Sequence, residues 1–130
     1  PPATALAATT SIKHLMNSDI ERDLHQDRIR TIKSELEKAG INYFKNNSHI
    51  IPIIIGDPIL TAQISEKLLL EHDIYIQLIN FPTVPKGTER LRITPTPYHT
   101  DAMIVDLVKA LKQVFTELKI EQAVQAIVGL

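Results

Sequence analysis

Arg92 is the side chain in this sequence that best suits the recognition of an anionic substrate group. It lies between Leu91 and Ile93 in a stretch where apolar and polar residues alternate, and this pattern predicts a strand with Arg92 projecting from one face. A guanidinium held on a strand can bind a carboxylate or a phosphate through two parallel hydrogen bonds. The alternative is that Arg92 forms a salt bridge with a neighbouring helix.

A proline-rich loop precedes this strand. Four of the eight prolines fall between residues 82 and 97, and the segment from Asn80 to Thr88 contains two of them together with Gly87. Prolines stiffen a loop without interior packing, and a single glycine leaves one flexible position. We therefore predict a lid or a ledge that binds a ligand. The alternative is an ordinary stiff connection at the surface.

Residue counts and spacings exclude several other kinds of site. The sequence has no cysteine, which excludes a disulfide framework, a thiolate metal site and thiol catalysis. Its four glycines are too far apart for a phosphate-binding glycine loop, and its five histidines show no metal-ligand spacing. The formal net charge of −1 gives no electrostatic signature of nucleic-acid or membrane binding. No apolar run is long enough to span a membrane.

The first third of the chain is predicted to form helices that lead into the strands and position them. Ser18 and Glu21 have the spacing of a capping box at the start of the second helix, and Gly40 suits its C-terminal end. One apolar stripe is predicted on that helix, comprising Ile20, Leu24, Ile29, Ile32 and Leu36.

The remainder of the chain alternates strands and helices. Strands are predicted at residues 49–55, 74–79 and 89–94, and helices at 61–72, 100–118 and, more briefly, 120–130. Pro52 cannot donate to a sheet ladder, so it should lie on an edge strand or at a bulge. Thr100 should cap the long helix, whose predicted inner stripe comprises Met103, Ile104, Leu107, Val108, Leu111, Val114, Phe115 and Leu118.

These elements predict an α+β fold. It should contain a small, mostly antiparallel three-stranded sheet with helices packed on one face. At 130 residues the chain has room for one hydrophobic core. We assign residues 1–39 to connector helices and residues 40–130 to a small domain.

Residues 75–97 closely resemble the α-oxoamine synthase family of pyridoxal-phosphate enzymes, which have fold type I. The family core is Pro82-Thr83-Val84-Pro85, flanked here by Asn80-Phe81 and by Thr94-Pro95-Thr96-Pro97 with His99. The likeness extends over roughly residues 1–118, including the segments Ser48–Pro52 and Pro1–Ile12. Phe81, Lys86 and Tyr98 depart mildly from the family pattern. The flanking residues favour the branch that condenses glycine with succinyl-CoA in haem and tetrapyrrole biosynthesis.

The resemblance implies roles for individual residues. The position matching Arg92 binds the carboxylate of glycine and of the product, and the position matching Thr83 contacts the succinyl carboxylate. Residues 75–92 match an active-site lid, and His49 matches a position that can face the active site, although a satisfied strand-end histidine is equally compatible with its sequence. The lid residues singled out besides Thr83 are Asn80, Phe81, Pro82, Val84, Pro85, Lys86 and Gly87.

The resemblance also implies that this chain needs groups from elsewhere. The lysine that forms the Schiff base with pyridoxal 5′-phosphate belongs upstream in the family, so we expect no catalytic residue here and no activity from these residues alone. The chain should then be the C-terminal part of a longer homodimeric enzyme, in the bacterial cytoplasm or, less favoured, the mitochondrial matrix. Alternatives are a sister enzyme of the 8-amino-7-oxononanoate synthase or 2-amino-3-oxobutyrate CoA ligase type, and a non-catalytic α+β binding module.

Overall fold

The structure, a computed structural model, describes residues 1–120. Within this range it contains four helices, α1 (Pro2–Asn17), α2 (Ile20–Lys38), α3 (Pro58–His72) and α4 (Asp101–Glu117), and three strands, β1 (Ile51–Ile54), β2 (Gln77–Ile79) and β3 (Arg90–Ile93). Every predicted element in this range is present, and the α+β class is confirmed. The helix predicted at 120–130 falls almost entirely on residues 121–130, which lie outside the described range.

The three strands form one antiparallel sheet in the order β1-β3-β2, so the last strand along the chain occupies the centre. Pro52 lies on the edge strand β1, as its missing N–H requires, and pairs in register with Arg92. On the other side Arg92 pairs with Gln77. Residues 74–76, expected as strand from their alternation, precede the ladder, which begins only at Gln77.

The core lies on one face of the sheet, beneath the helices. Leu91 and Ile93 of the central strand are buried there, and helices α2, α3 and α4 contribute the rest. The fully or nearly fully buried core residues include Ile32, Leu36, Ile51, Ile53, Ile64, Leu68, Leu91, Ile104, Leu111 and Val114. Because side chains alternate along a strand, the same packing directs Arg90 and Arg92 to the opposite face.

The predicted helix stripes are wrong at their ends. Ile20 is 68% exposed, Leu24 45% and Met103 56%, whereas Ile29, Ile32 and Leu36 are buried as predicted. A four-residue strand is about 13 Å long, whereas the 19 residues of α2 extend over about 28 Å. Helix α2 packs against α4, and its buried residues all lie in its second half, from Ile29 to Leu36. Helix α1 contains no buried residue.

Two helix ends behave differently from prediction. The capping box at Ser18 does not form, because the Ser18 hydroxyl donates to the Glu21 carboxylate at 2.7 Å instead of capping the backbone, and α2 begins at Ile20 without a side-chain cap. Helix α3 begins at Pro58 and not at Thr61. Asp57 caps it by accepting hydrogen bonds from the first free N–H groups of the helix.

Two other predicted helix ends are confirmed. Gly40 has a φ of +72° and ends α2 in a Schellman motif, in which Ile41 N–H donates to the Leu36 carbonyl at 2.9 Å and Gly40 N–H to Glu37 at 3.1 Å. Thr100 caps α4 by accepting a hydrogen bond from Met103 N–H at 3.3 Å.

Candidate substrate-binding site

Arg92 projects from the open face of the sheet, at the middle of the central strand. Its side chain is exposed, and within residues 1–120 it forms no hydrogen bond and no ion pair. The helices lie on the opposite face, so the salt bridge to a helix considered for Arg92 is not formed there. An arginine without a partner on a strand held from both sides has five N–H donors available for an anion.

A cleft of about 300 Å³ lies beside Arg92, between the start of β2, the end of β3 and the first turns of α4. Most of its lining is apolar, and Arg92, Tyr75, Thr94, Asp73 and His99 supply its polar groups. None of its lining residues is a lysine. This combination of an apolar wall and a single arginine suits a small ligand with a carboxylate at one end.

The proline-rich loop connects β2 to β3 through two turns. Thr83 N–H donates to the Asn80 carbonyl at 3.0 Å across the cis Phe81–Pro82 bond, and Thr88 N–H donates to the Pro85 carbonyl at 3.1 Å. Thr83 is exposed between the two turns and is not part of the cleft lining. The structure therefore places Arg92 and Thr83 at opposite ends of the β2–β3 hairpin. Arg92 pairs with Gln77 at the end of the hairpin away from the loop, whereas Thr83 lies in the loop that follows Ile79.

The loop is packed against itself and against the start of α3. The Lys86 ammonium lies 5.1 Å from the centre of the Phe81 ring, close enough for a cation–π interaction. Asn80 Nδ2 donates to the Pro58 carbonyl at 3.2 Å, while the Asn80 side-chain oxygen is buried without a partner in the described part of the chain. These contacts give the loop a defined shape although most of its residues are exposed.

His49 and His99 lie away from the loop. His49 is exposed, and its ring lies 5.8 Å from that of His25, which contacts the Pro95 carbonyl at 3.1 Å. His49 is absent from the cleft lining. His99 Nδ1 accepts a hydrogen bond from Thr96 N–H at 3.0 Å, and the ring also lines the cleft. Of the two histidines, only His99 therefore borders the space beside Arg92.

Sequence reasoning missed Glu89, whose side chain is only 1% exposed. Its carboxylate accepts a hydrogen bond from Gly87 N–H at 2.9 Å. The signal was present in the alternation of residues 89–94, which places Glu89 on the same face as the buried Leu91 and Ile93. A carboxylate on an inward face needs a specific hydrogen-bond partner.

Two of the shifted pKa values belong to ion pairs near the helix ends. The His14 ring and the Ser18 hydroxyl lower the pKa of Glu21 to about 2. Hydrogen bonds to Asp27 and Asp101 raise the pKa of Arg28, which thereby links α2 to the start of α4. These ion pairs link α1 to α2 and α2 to α4 at the surface.

Comparison with known proteins identifies the family. The family model described as aminotransferase class I and II matches residues 1–111 of this chain. The chain belongs to the aminotransferase class I and II family. This result agrees with the resemblance carried by residues 75–97. None of the helices within residues 1–120 combines the length and apolar character needed to cross a membrane.

Two relatives of this aminotransferase-family chain are both 5-aminolevulinate synthases. It is 60% identical over 121 residues to a 5-aminolevulinate synthase of Rickettsia conorii, covering 93% of this chain and 29% of that protein. It is 46% identical over 123 residues to a mitochondrial 5-aminolevulinate synthase of Emericella nidulans, covering 95% and 19%. The chain thus spans less than a third of these relatives.

A solved structure confirms the predicted fold. Serine palmitoyltransferase K265A from S. paucimobilis, with a bound PLP-myriocin aldimine, has a TM-score of 0.84 at 24% identity, covering 93% of this chain and 31% of that one. The prediction of a fold-type I small domain is therefore confirmed at the level of the backbone.

Proposed function

We propose that this segment acts as part of a 5-aminolevulinate synthase, which condenses glycine with succinyl-CoA and releases 5-aminolevulinate, CoA and carbon dioxide. The observation that carries the proposal is Arg92, an unpartnered arginine beside an apolar cleft in the described part of the chain. The 60% identity to the Rickettsia conorii enzyme supports this choice over a sister enzyme or a non-catalytic module.

Arg92 binds the carboxylate of glycine in this proposal. Its backbone is held in the central strand by pairing with Pro52 on one side and Gln77 on the other. The two parallel hydrogen bonds of a guanidinium to a carboxylate fix the orientation of the amino acid as well as its affinity. Arg92 thereby determines which bond at the glycine Cα faces the reacting groups.

Thr83 binds a second carboxylate, that of the succinyl group. Its exposed hydroxyl can donate one hydrogen bond, and its place beyond the end of β2 separates it from Arg92. Two anion-binding groups at opposite ends of one hairpin suit two substrates that each have a carboxylate. The loop from Asn80 to Gly87 then acts as a lid over the acyl donor.

Pyridoxal phosphate, when bound, supplies an electron sink for bond breaking at the glycine Cα. The cleft in the described part of the chain has an arginine that can bind a substrate carboxylate, but it lacks the groups that would anchor the cofactor. No lysine lines the cleft, and no two of the four glycines are close enough in sequence to form a phosphate cradle. We therefore assign the binding of the cofactor mainly to a portion of the enzyme outside this segment.

We also propose that residues 1–39 are connector helices and residues 40–130 a small domain of a longer enzyme. Helix α1 has no buried residue, and Leu6, Ile12 and Met16 are at least 60% exposed, which suits a connector that contacts the rest of the enzyme. The second half of α2 packs against α4 and joins residues 1–39 to the small domain. The full enzyme is proposed to be a homodimer in the bacterial cytoplasm, with glycine and succinyl-CoA as its substrates.

The test is a reconstituted enzyme, in which this chain replaces the matching 121 residues of the Rickettsia conorii enzyme. We expect it to form 5-aminolevulinate and to support growth of a bacterial strain that otherwise needs this compound. A clear preference for a longer, monocarboxylic or acetyl donor would support a sister enzyme. A stoichiometric pyridoxal-phosphate absorbance on the isolated 130 residues would contradict the assignment of the cofactor site to another portion.

A further inference from the structure

Glu89 is a buried carboxylate at the base of the proline-rich loop. Its side chain is 1% exposed, and Oε2 accepts the hydrogen bond from Gly87 N–H at 2.9 Å. Gly87 occupies the third position of the turn Pro85–Thr88 with a φ of +81°. The carboxylate therefore holds the one residue of the loop whose backbone is free to rotate widely.

The main chain of Glu89 attaches the base of this turn to the end of β1. Its carbonyl accepts two hydrogen bonds, from Ile55 N–H at 2.8 Å and from Gly56 N–H at 3.0 Å. A Cβ added to Gly56 would lie 3.2 Å from the Gly87 carbonyl oxygen, so the two glycines are in close backbone contact. The turn is thus held between the Glu89 carboxylate on one side and Gly56 on the other.

We propose that Glu89 is a positioning residue for the acyl-donor side of the reaction, a role that rests on the proposed function. By fixing the Gly87 N–H it sets the orientation of the Pro85–Thr88 turn, which is joined to Thr83 through Val84 alone and so limits where the Thr83 hydroxyl can lie. Arg92 has its own support in the central strand. Loss of the Glu89 carboxylate therefore affects succinyl-CoA and leaves glycine binding nearly unchanged.

The experiment compares Glu89→Ala and Glu89→Gln in the reconstituted enzyme. Glu89→Ala removes the acceptor, and we expect the KM for succinyl-CoA to rise about tenfold, the effect of one hydrogen bond to a charged group, while the KM for glycine changes less than about twofold. Glu89→Gln keeps a side-chain oxygen and should restore the KM for succinyl-CoA to within about threefold of the parent. The matched control is Glu66→Ala on the exposed surface of α3, which should change neither constant.

A second variant tests the position of the turn through the close contact between Gly56 and Gly87. Gly56→Ala places a methyl group against the Gly87 carbonyl and should also raise the KM for succinyl-CoA selectively. Gly40→Ala is its control, because Gly40 also has a positive φ but open space around its Cβ position. Both substitutions introduce similar backbone strain, so a difference between them reports the contact with Gly87.

Hydrogen exchange at residues 82–88 provides a readout that does not depend on turnover. We expect the Gly87 amide to exchange about tenfold faster in Glu89→Ala than in the parent and Glu89→Gln to show a smaller increase. Unchanged exchange, or equal changes in both KM values, would overturn the role of Glu89. If the parent makes no 5-aminolevulinate, the proposed function fails while the exchange data still decide whether Glu89 positions the loop.

Discussion

Replacing Arg92 by leucine tests the central residue of the proposed site. Arg92 is exposed and makes no hydrogen bond or ion pair within residues 1–120, so its loss removes little from the folded state. A charge-assisted hydrogen bond to a carboxylate contributes about 1.5–3 kcal/mol, which corresponds to a change of roughly 10- to 150-fold in affinity. We therefore expect Arg92→Leu to raise the KM for glycine by one to two orders of magnitude in the reconstituted enzyme.

The assay is steady-state formation of 5-aminolevulinate with each substrate varied in turn. The KM for succinyl-CoA should change less than about threefold, because Thr83 and its loop lie at the other end of the hairpin. Arg92→Lys keeps the charge but loses the planar pair of donors, and its glycine KM should lie between those of the parent and Arg92→Leu. Arg30→Leu, on the exposed side of α2, controls for loss of one surface arginine. Equal increases in both KM values, or an unchanged glycine KM, would refute the carboxylate role.

Three further predictions concern the loop, the core and a tyrosine. Thr83→Val should raise the KM for succinyl-CoA about tenfold and spare glycine, with Thr83→Ser close to the parent, as measured in the same assay. Leu91→Ala should lower the free energy of unfolding by about 2–5 kcal/mol, because Leu91 is fully buried. Denaturant titration measures this change, and an effect below about 1 kcal/mol would contradict the place of Leu91 in the core. Burial and the Glu37 carboxylate raise the pKa of Tyr43 to about 12. The folded state thus holds this proton more tightly, and the resulting stability is complete below about pH 10 and lost as the pH rises through about 12. Tyr43→Phe should remove the late step from the phenolate absorbance titration, and its persistence in that variant would refute the assignment.

Local sequence patterns predicted most of the secondary structure because they reflect local physics. The alternation around Leu91 and Ile93 indicates a half-buried strand, and Gly40 indicates the left-handed residue at the end of α2. The same alternation placed Arg92 on the face opposite the core. None of these inferences requires knowledge of which strands pair.

The predicted burial is wrong where the apolar stripe of a helix is longer than the part of that helix packed in the core. Ile20, Leu24 and Met103 continue the apolar stripes of α2 and α4 beyond the parts of these helices that pack in the core, so these three side chains remain exposed. Glu89 shows the reverse case, since a charged residue became buried because Gly87 N–H and the end of β1 satisfy its polar groups. Periodicity reports how a segment would pack, and the size of the neighbouring element decides whether it does.

By itself the sequence determined the helices, the strands, the outward direction of Arg92 and the family resemblance of residues 75–97. Only the tertiary structure decided that β3 lies in the centre of the sheet, which holds Arg92 between Pro52 and Gln77 and separates it from Thr83. Only the tertiary structure showed that the loop is anchored at Gly56 through Glu89. The physical reason is that strand order and loop anchoring depend on contacts between residues roughly 30 to 40 positions apart, which no local periodicity encodes.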